Sequence, residues 1–291
     1  MKTGTASRLF DKFIILFTLI IILICLLPFL HVAAISLSSN SAIIASKVSI
    51  FPVELNFESY VSIFKDPAMT GSLWFTVQIT CLYTLFSIIL TICAAYPLTQ
   101  KRLRGRKAFL LIIVITMFFS GGIIPDYLLM KDLRLINTMW VLILPQLINV
   151  FNLIVLKTFF TSIPESLVES ARLDGCSDIK ILTQIILPLS IPVIATLCLF
   201  YAVAKWNSFQ DALFYITDTN MYPLQLKIYQ IVMNSQAVDI AVNEGANMTT
   251  NVLPESLKSA SVMFATLPIV LIYPWLQKYF VKGVMVGSIK G

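Results

Sequence analysis

Three neutral amides, Gln146, Asn149 and Asn152, recur at every third position of one apolar run. On a 3.6-residue helix they fall within an arc of about 120°. Amides donate and accept hydrogen bonds without titrating, which suits a hydroxyl-rich solute or the polar groups of a neighbouring helix. Gln78 and Tyr83 lie in a second apolar run, and Trp206 and Asn207 just past a third. An indole at such a place anchors a helix at a membrane interface or stacks on a sugar face. Groups for making and breaking bonds are scarce. The chain has one histidine, His31, so a His-centred triad or His metal site has almost nothing to be built from. Its five cysteines, Cys25, Cys81, Cys93, Cys176 and Cys198, form no C-x-x-C pair and read as small hydrophobes. No phosphate-binding G-x-x-x-x-G-K-[ST] occurs; Gly283, Gly287 and Gly291 have the wrong spacing and no Lys-Ser/Thr pair.

The elements that must position these residues follow from composition. Of 291 residues, 58% are hydrophobic and only 12% charged. A soluble domain carries about 25% charged residues, so this chain is expected to be an all-α integral membrane protein. Six apolar stretches approach the ~20 residues that cover a ~30 Å hydrocarbon core. They span 13–37, 70–99, 108–129, 138–160, 186–204 and 260–280. The first could be a signal peptide ending at Val32-Ala33-Ala34, but its apolar run exceeds the 7–15 residues of such a segment, so a retained helix is expected. With the N-terminus inside, 14 of the 21 Lys and Arg residues fall on the cytoplasmic side. That bias puts both termini in the cytoplasm and explains the net charge of +6 without a nucleic-acid partner. The basic cluster 101–107 reads as a leaflet anchor, with an anionic-lipid site as the alternative. Outside loops are expected at 38–69, 130–137 and 205–259. Residues 1–69 divide from a core at 70–291 with five spans and a patterned loop at 162–188. In the last outside loop, Leu224, Ile228 and Ile231 share a helical face that would dock a partner or rest on the membrane. Asn247-Met248-Thr249 matches a glycosylation sequon, a weak signal.

The loop 162–188 carries the strongest pattern. Pro164 and Glu165 suit a helix start, and Gly175 suits the left-handed residue that ends it. Ser177 and Asp178 begin a second helix with apolar residues Ile179, Ile181, Leu182, Ile185 and Ile186. Two helices about a glycine bend make a knob. It is expected to expose Leu167, Val168, Ala171 and Leu173 among charges, in a shape that fits a cleft on a partner.

Glu169-Ser170-Ala171, Gly175 six positions after the Glu, then Ile185, Leu187 and Pro188, resemble the E-A-A, three residues, G, nine residues, I-x-L-P loop of ABC-importer permeases. Only Ser170 departs; it replaces an alanine that close packing is expected to keep small. The likeness runs from about Gly71 to Gly291 and is nearest to carbohydrate permeases of the maltose-transporter type, in the subgroup for oligosaccharides and polysaccharide fragments. Phe119-Ser120-Gly121-Gly122, Leu135-Ile136-Asn137-Thr138 and Lys205-Trp206-Asn207-Ser208 carry the finer match, as does the ending Lys282–Gly291.

The resemblance implies a type I importer permease with six transmembrane helices and a cytoplasmic coupling helix. It would be a non-catalytic half-translocator, paired with a second permease. Two ATPase subunits would hold ATP and Mg, and an extracellular binding protein would deliver the oligosaccharide. Glu165, Leu167, Val168, Glu169, Ser170, Ala171, Arg172, Leu173, Asp174, Gly175, Ile185, Leu187 and Pro188 would form the ATPase-coupling region. Gln78, Tyr83, Gln146, Asn149, Asn152, Trp206 and Asn207 are the substrate-path residues, and the Gly283–Gly287 segment is expected to be a flexible tail touching the ATPases. The rival is a secondary transporter of a small polar solute; that class needs intramembrane ionisable residues, of which the expected spans are nearly free.

Overall fold

The computed structural model describes residues 5–119, 121–243 and 255–288. The sequon and Ser120 lie outside the described residues. Among those described, no β-strand forms beyond one antiparallel bridge between Ser38 and Leu55. The chain opens with α1 (Thr5–Ser36), α2 (Asn40–Ile44), α3 (Glu58–Lys65) and α4 (Pro67–Ala95). Then come α5 (Arg106–Ile115), α6 (Ile123–Asp132), α7 (Val150–Ser162), α8 (Glu165–Leu173) and α9 (Asp178–Ile181). It ends with α10 (Leu187–Leu189), α11 (Ile191–Trp206), α12 (Gln210–Tyr215), α13 (Leu224–Asn243) and α14 (Glu255–Ser288).

Three helical segments, Phe10–Ser36, Pro67–Thr99 and Glu255–Ile272, are each long and apolar enough to cross a membrane. The stripe of α1 is apolar all round and its window has no buried residue, which only a hydrocarbon solvent or a partner helix tolerates. The other expected spans are broken. Met139–Gln146 meets α7 at 51°, and Asp178–Leu189 meets α11 at 81°. Stretch 108–129 is not one continuous helix: α5 and α6, ten residues each, flank a break where Gly122 has φ 90°. Ten residues rise about 15 Å, half the hydrocarbon thickness.

Proline explains the other breaks, since its ring clashes with the preceding turn and it donates no hydrogen bond. Pro145 sits in a 3₁₀ turn at Leu144–Gln146, and Asn149 then caps α7. Pro188 follows a π-helical turn at Leu182–Ile186. At the 81° bend, Ser190 is buried, and its hydroxyl donates to the Ile186 carbonyl at 2.7 Å. Pro192 then opens α11, where no N–H is needed.

Two other expectations change. The 205–259 segment is no open loop: it holds α12 and the whole of α13. Leu224 and Ile228, two of the three residues on its apolar face, are buried, so that face is not free for docking at those positions. The expected flexible tail instead continues α14 as helix to Ser288.

Contacts divide the chain into two units, Met1–Thr70 with Ile228–Leu267, and Gly71–Lys227 with Pro268–Gly291. In the first, Ser59 and Ser256 hydroxyls meet at 3.0 Å, and Phe64 packs edge-on against Phe264 at 5.2 Å. Glu54 accepts from Ser39 and Ser41, and those hydroxyls hold its carboxyl below the usual range. The second unit has a core in which Ile88, Ala95, Tyr96 and Leu98 meet Leu156, Phe160, Ala171, Ile181 and Ile186. Its Asn137, at φ 60°, accepts from the backbone N–H groups of Thr217 and Asp218, both at 3.0 Å. Asparagine tolerates that left-handed backbone, so one side chain staples two distant segments.

Candidate functional site

The second unit carries both regions that the residue pattern singles out. In the first, α8 ends in a Schellman motif. Cys176 N–H donates to the Ala171 carbonyl at 2.9 Å, and Gly175 N–H to Arg172 at 3.0 Å, with Gly175 at φ 78°. Ser177 then caps α9 by accepting from Lys180 N–H. A Cβ built on Gly175 meets nothing within 4 Å, so glycine serves the backbone angle there and not a tight fit.

The knob has an inner and an outer face. Val168 and Ala171, three residues apart, turn into the core, and Ala171 is only 7% exposed. Their expected place on the docking face is therefore corrected: they are what seats the helix. The outer face holds Glu165, Leu167, Glu169, Ser170, Arg172 and Leu173, the last 89% exposed, and Asp174 beside them. Ser170 is exposed, so packing within this chain does not require its small size. Ile185 and Leu187 pack on the core, while Pro188 is exposed.

Residue type alone did not reveal what braces the knob. Lys101 Nζ reaches Glu165 at 2.6 Å. Arg102 pairs with Asp178, and Arg172 lies 3.5 Å from the same carboxylate. Arg172 also donates to Gln100 at 2.6 Å, and the Tyr96 hydroxyl to the Asp178 carbonyl at 3.2 Å. At Lys101 and Arg102, the basic cluster expected to anchor a leaflet is engaged with the knob. The partners lie 64 and 76 residues apart in sequence, so no local pattern marked them.

The second region is a cavity of about 790 Å³. Tyr83, Gln146, Asn149 and Asn152 line it, together with Phe151, Phe200 and Tyr201. The three amides do not share one continuous helix face, because the helix breaks between the first two. Asn149 accepts from Asn152 N–H at 3.1 Å as the cap of α7, and Asn152 is buried. The Tyr83 hydroxyl donates to the Gln146 carbonyl at 2.8 Å. Tyr201, absent from the expected set, meets Thr91 Oγ1 at 2.7 Å, accepts from Asn149 N–H at 3.3 Å and packs edge-on against Tyr83. Among the described residues, no charged side chain lines this cavity.

Three expected path residues lie elsewhere. Gln78 is exposed and outside the cavity. Trp206 is 7% exposed, so it offers no open ring face to a sugar and is no interfacial anchor on a bare surface. Asn207 closes α11, donating from Nδ2 to the Val203 carbonyl at 2.9 Å. Its neighbour Lys205, expected in an outside loop, is buried in the last turn of α11. Its ammonium lies 3.4 Å from Asp211 and 5.2 Å from the Tyr83 ring centroid. Burial of that charge requires such a pair.

Residues 4–286 match the family described as "Binding-protein-dependent transport system inner membrane component". The chain belongs to that family: it is a membrane permease component, built on the type I importer fold. It is 42% identical over 286 residues to the polygalacturonan/rhamnogalacturonan transport system permease protein YtcP of Bacillus subtilis, covering 98% of this chain and 99% of that protein. It is 30% identical to the melibiose/raffinose/stachyose import permease protein MelC of Bacillus subtilis, covering 83% and 84%. A crystal structure of a bacterial ABC transporter that imports the acidic polysaccharide alginate has a chain similar to it, with TM-score 0.85 and 28% identity over 96% and 99% of the two chains.

Proposed function

We propose that the chain is one permease subunit of an ATP-driven importer of oligosaccharides and works by alternating access. The observation that supports this best is the knob: a stiff, exposed helix with the loop spacing of importer permeases, joined to helices that line a cavity. A second permease completes the path, and two ATPase subunits bind ATP and Mg. An extracellular binding protein, which the family's description names as a requirement, supplies the sugar. The knob enters a groove of one ATPase with Glu169 toward basic residues. Both termini and the knob are cytoplasmic, in accord with the Lys and Arg bias of a cell-membrane protein.

ATP binding closes the ATPase dimer, the knobs approach each other and the path opens outward; hydrolysis resets it. This chain makes and breaks no bond. Tyrosine faces and amides in the cavity suit a hydroxyl-rich ligand, and a lining without carboxylates does not repel an acidic sugar. Fragments of acidic polysaccharides, which the named relatives of 42% and 28% identity handle, are therefore the substrates to test first.

The test is reconstitution of the four-part transporter in proteoliposomes, with labelled trigalacturonate and raffinose as probes. ATP-dependent uptake of trigalacturonate supports the acidic reading, and uptake of raffinose alone supports neutral oligosaccharides. ATPase subunits that fail to co-purify with this chain would overturn the assignment to an ATP-driven importer.

A further inference from the structure

Three α-helices reach the cavity, beside Met117 and the turn that holds Pro145 and Gln146: α4 with Tyr83, α7 with Asn152 and α11 with Tyr201. Their connections to the knob differ. The end of α7 at Ser162 enters α8 through two residues, and α11 follows α9 through the π-helical turn and α10. The end of α4 has no such direct chain link, because its chain leaves through 96–105 into α5. Apolar packing holds it near the knob, but packing is non-directional. The directional contacts are polar, and three of the five involve Asp178. Arg102 and Arg172 both face the Asp178 carboxylate, and Tyr96 donates to its carbonyl. Arg172 ties back to Gln100, and Lys101 to Glu165.

We propose that Asp178 is a positioning residue that locks the end of α4 to the knob, so that an ATPase-driven movement reaches all three cavity walls together. This rests on the reading of the knob as the ATPase contact. Without the lock, α7 and α11 follow the knob and α4 slips behind. Asp178 lies on α9, outside the face proposed for the ATPase. Arg102 is well exposed, so its truncation tests the same lock with little risk to folding.

The experiment uses the assembled transporter with nitroxides at Leu90 on α4 and Thr161 on α7, carried on genetically encoded ketone side chains that spare the native cysteines. Distances are measured without nucleotide and after trapping with ATP and vanadate. In the parent chain the distance is expected to be equal in the two states. In Asp178→Ala and in Arg102→Ala it shifts by about 2–5 Å on trapping, the scale of helix sliding. Asp178→Glu restores the equal distance, which a merely structural loss would not predict. Retention of the ATPase on an affinity column is scored in parallel. If the parent chain fails to retain it, the knob reading and this inference fall together. If retention is intact and both alanine variants keep the parent distances, only the lock is overturned. Loss of retention in Asp178→Ala alone would make Asp178 a docking residue and overturn it as well.

Discussion

The knob and the cavity are stiffened by opposite means. The knob's backbone is set by contacts close in sequence, a Schellman turn about Gly175 and a serine cap, while Val168 and Ala171 seat it on the core. Its ion pairs sit on exposed groups, where each is worth about 0–1 kcal/mol, so they orient more than they stabilise. Among the described residues, no ion pair lies on the wall of the cavity. It is held by hydroxyl and amide bonds between helices far apart in sequence, such as Thr91 with Tyr201 and Tyr83 with Gln146. A surface that must meet a partner in water can use charge, whereas a wall at membrane depth must satisfy its polar atoms within the protein or from water in the cavity. Substitutions in the knob should therefore act through partner binding, and those in the cavity through scaffold and path together.

The largest effect is expected at Gly175. Nothing crowds its Cβ position, so substitutions there report backbone angle alone. At φ 78° alanine costs about 1 kcal/mol and a β-branched valine about 2. Gly175→Val should reduce ATPase retention on an affinity column about tenfold or more, at 1.4 kcal/mol per decade. Gly175→Asn should stay near the parent, since asparagine accepts the left-handed region. Equal losses for Val and Asn would mean that space, not angle, is what glycine provides.

Glu169→Lys comes next. The side chain is exposed and outside the core, so membrane insertion and thermal stability should not change. Charge-assisted contacts to a partner are worth about 1–3 kcal/mol, and reversal removes them. Retention should fall, and rise again at low salt less than it does for the parent chain. Ser170→Ala, on the same exposed face, should be nearly neutral.

The difference between the regions also explains what could be read from residues alone. The helix, its Gly175 stop and the second helix after Ser177 were legible because caps and glycine angles are local. Which side of α8 faces inward was not, since Val168, Ala171, Leu167 and Leu173 are all apolar and only tertiary packing sorts them. The cavity set was half legible. Polarity in an apolar run marked Tyr83, Gln146, Asn149 and Asn152, but the same rule overreached to Gln78 and Asn207. It missed Tyr201, whose hydroxyl has no neighbouring polar residue in sequence to mark it. The six-span count treated each apolar run as one helix, and the breaks at Pro145 and at Gly122 show how local backbone chemistry divides such runs.

Within the cavity, Asn149 has two roles that substitution can separate. As the cap of α7 it is worth about 1 kcal/mol, within a range of roughly 0.5–2. Asn149→Ala should lower the melting temperature and weaken uptake. Asn149→Ser keeps a cap and shortens the polar side chain. If Ser restores the melting temperature but not the uptake KM, the amide contacts the solute; if it restores both, Asn149 serves the scaffold alone.

The smallest effect is expected for Tyr83→Phe. The ring stays, with its edge contact to Tyr201 at 5.9 Å and the Lys205 ammonium over its face. Only the hydroxyl is lost, and with it the 2.8 Å bond to the Gln146 carbonyl. One neutral hydrogen bond contributes about 1 kcal/mol net, and a carbonyl beside a wet cavity recovers part of that from water. Stability should fall by no more than about 1 kcal/mol on the same reasoning. Uptake at saturating sugar should hold, because Asn149 and Asn152 remain in place. Tyr83→Ala is the contrast: it removes the ring under Lys205 and should lower both stability and maximal uptake. A Phe variant as damaged as the Ala variant would mean that the hydroxyl, not the aromatic wall, organises this side of the cavity.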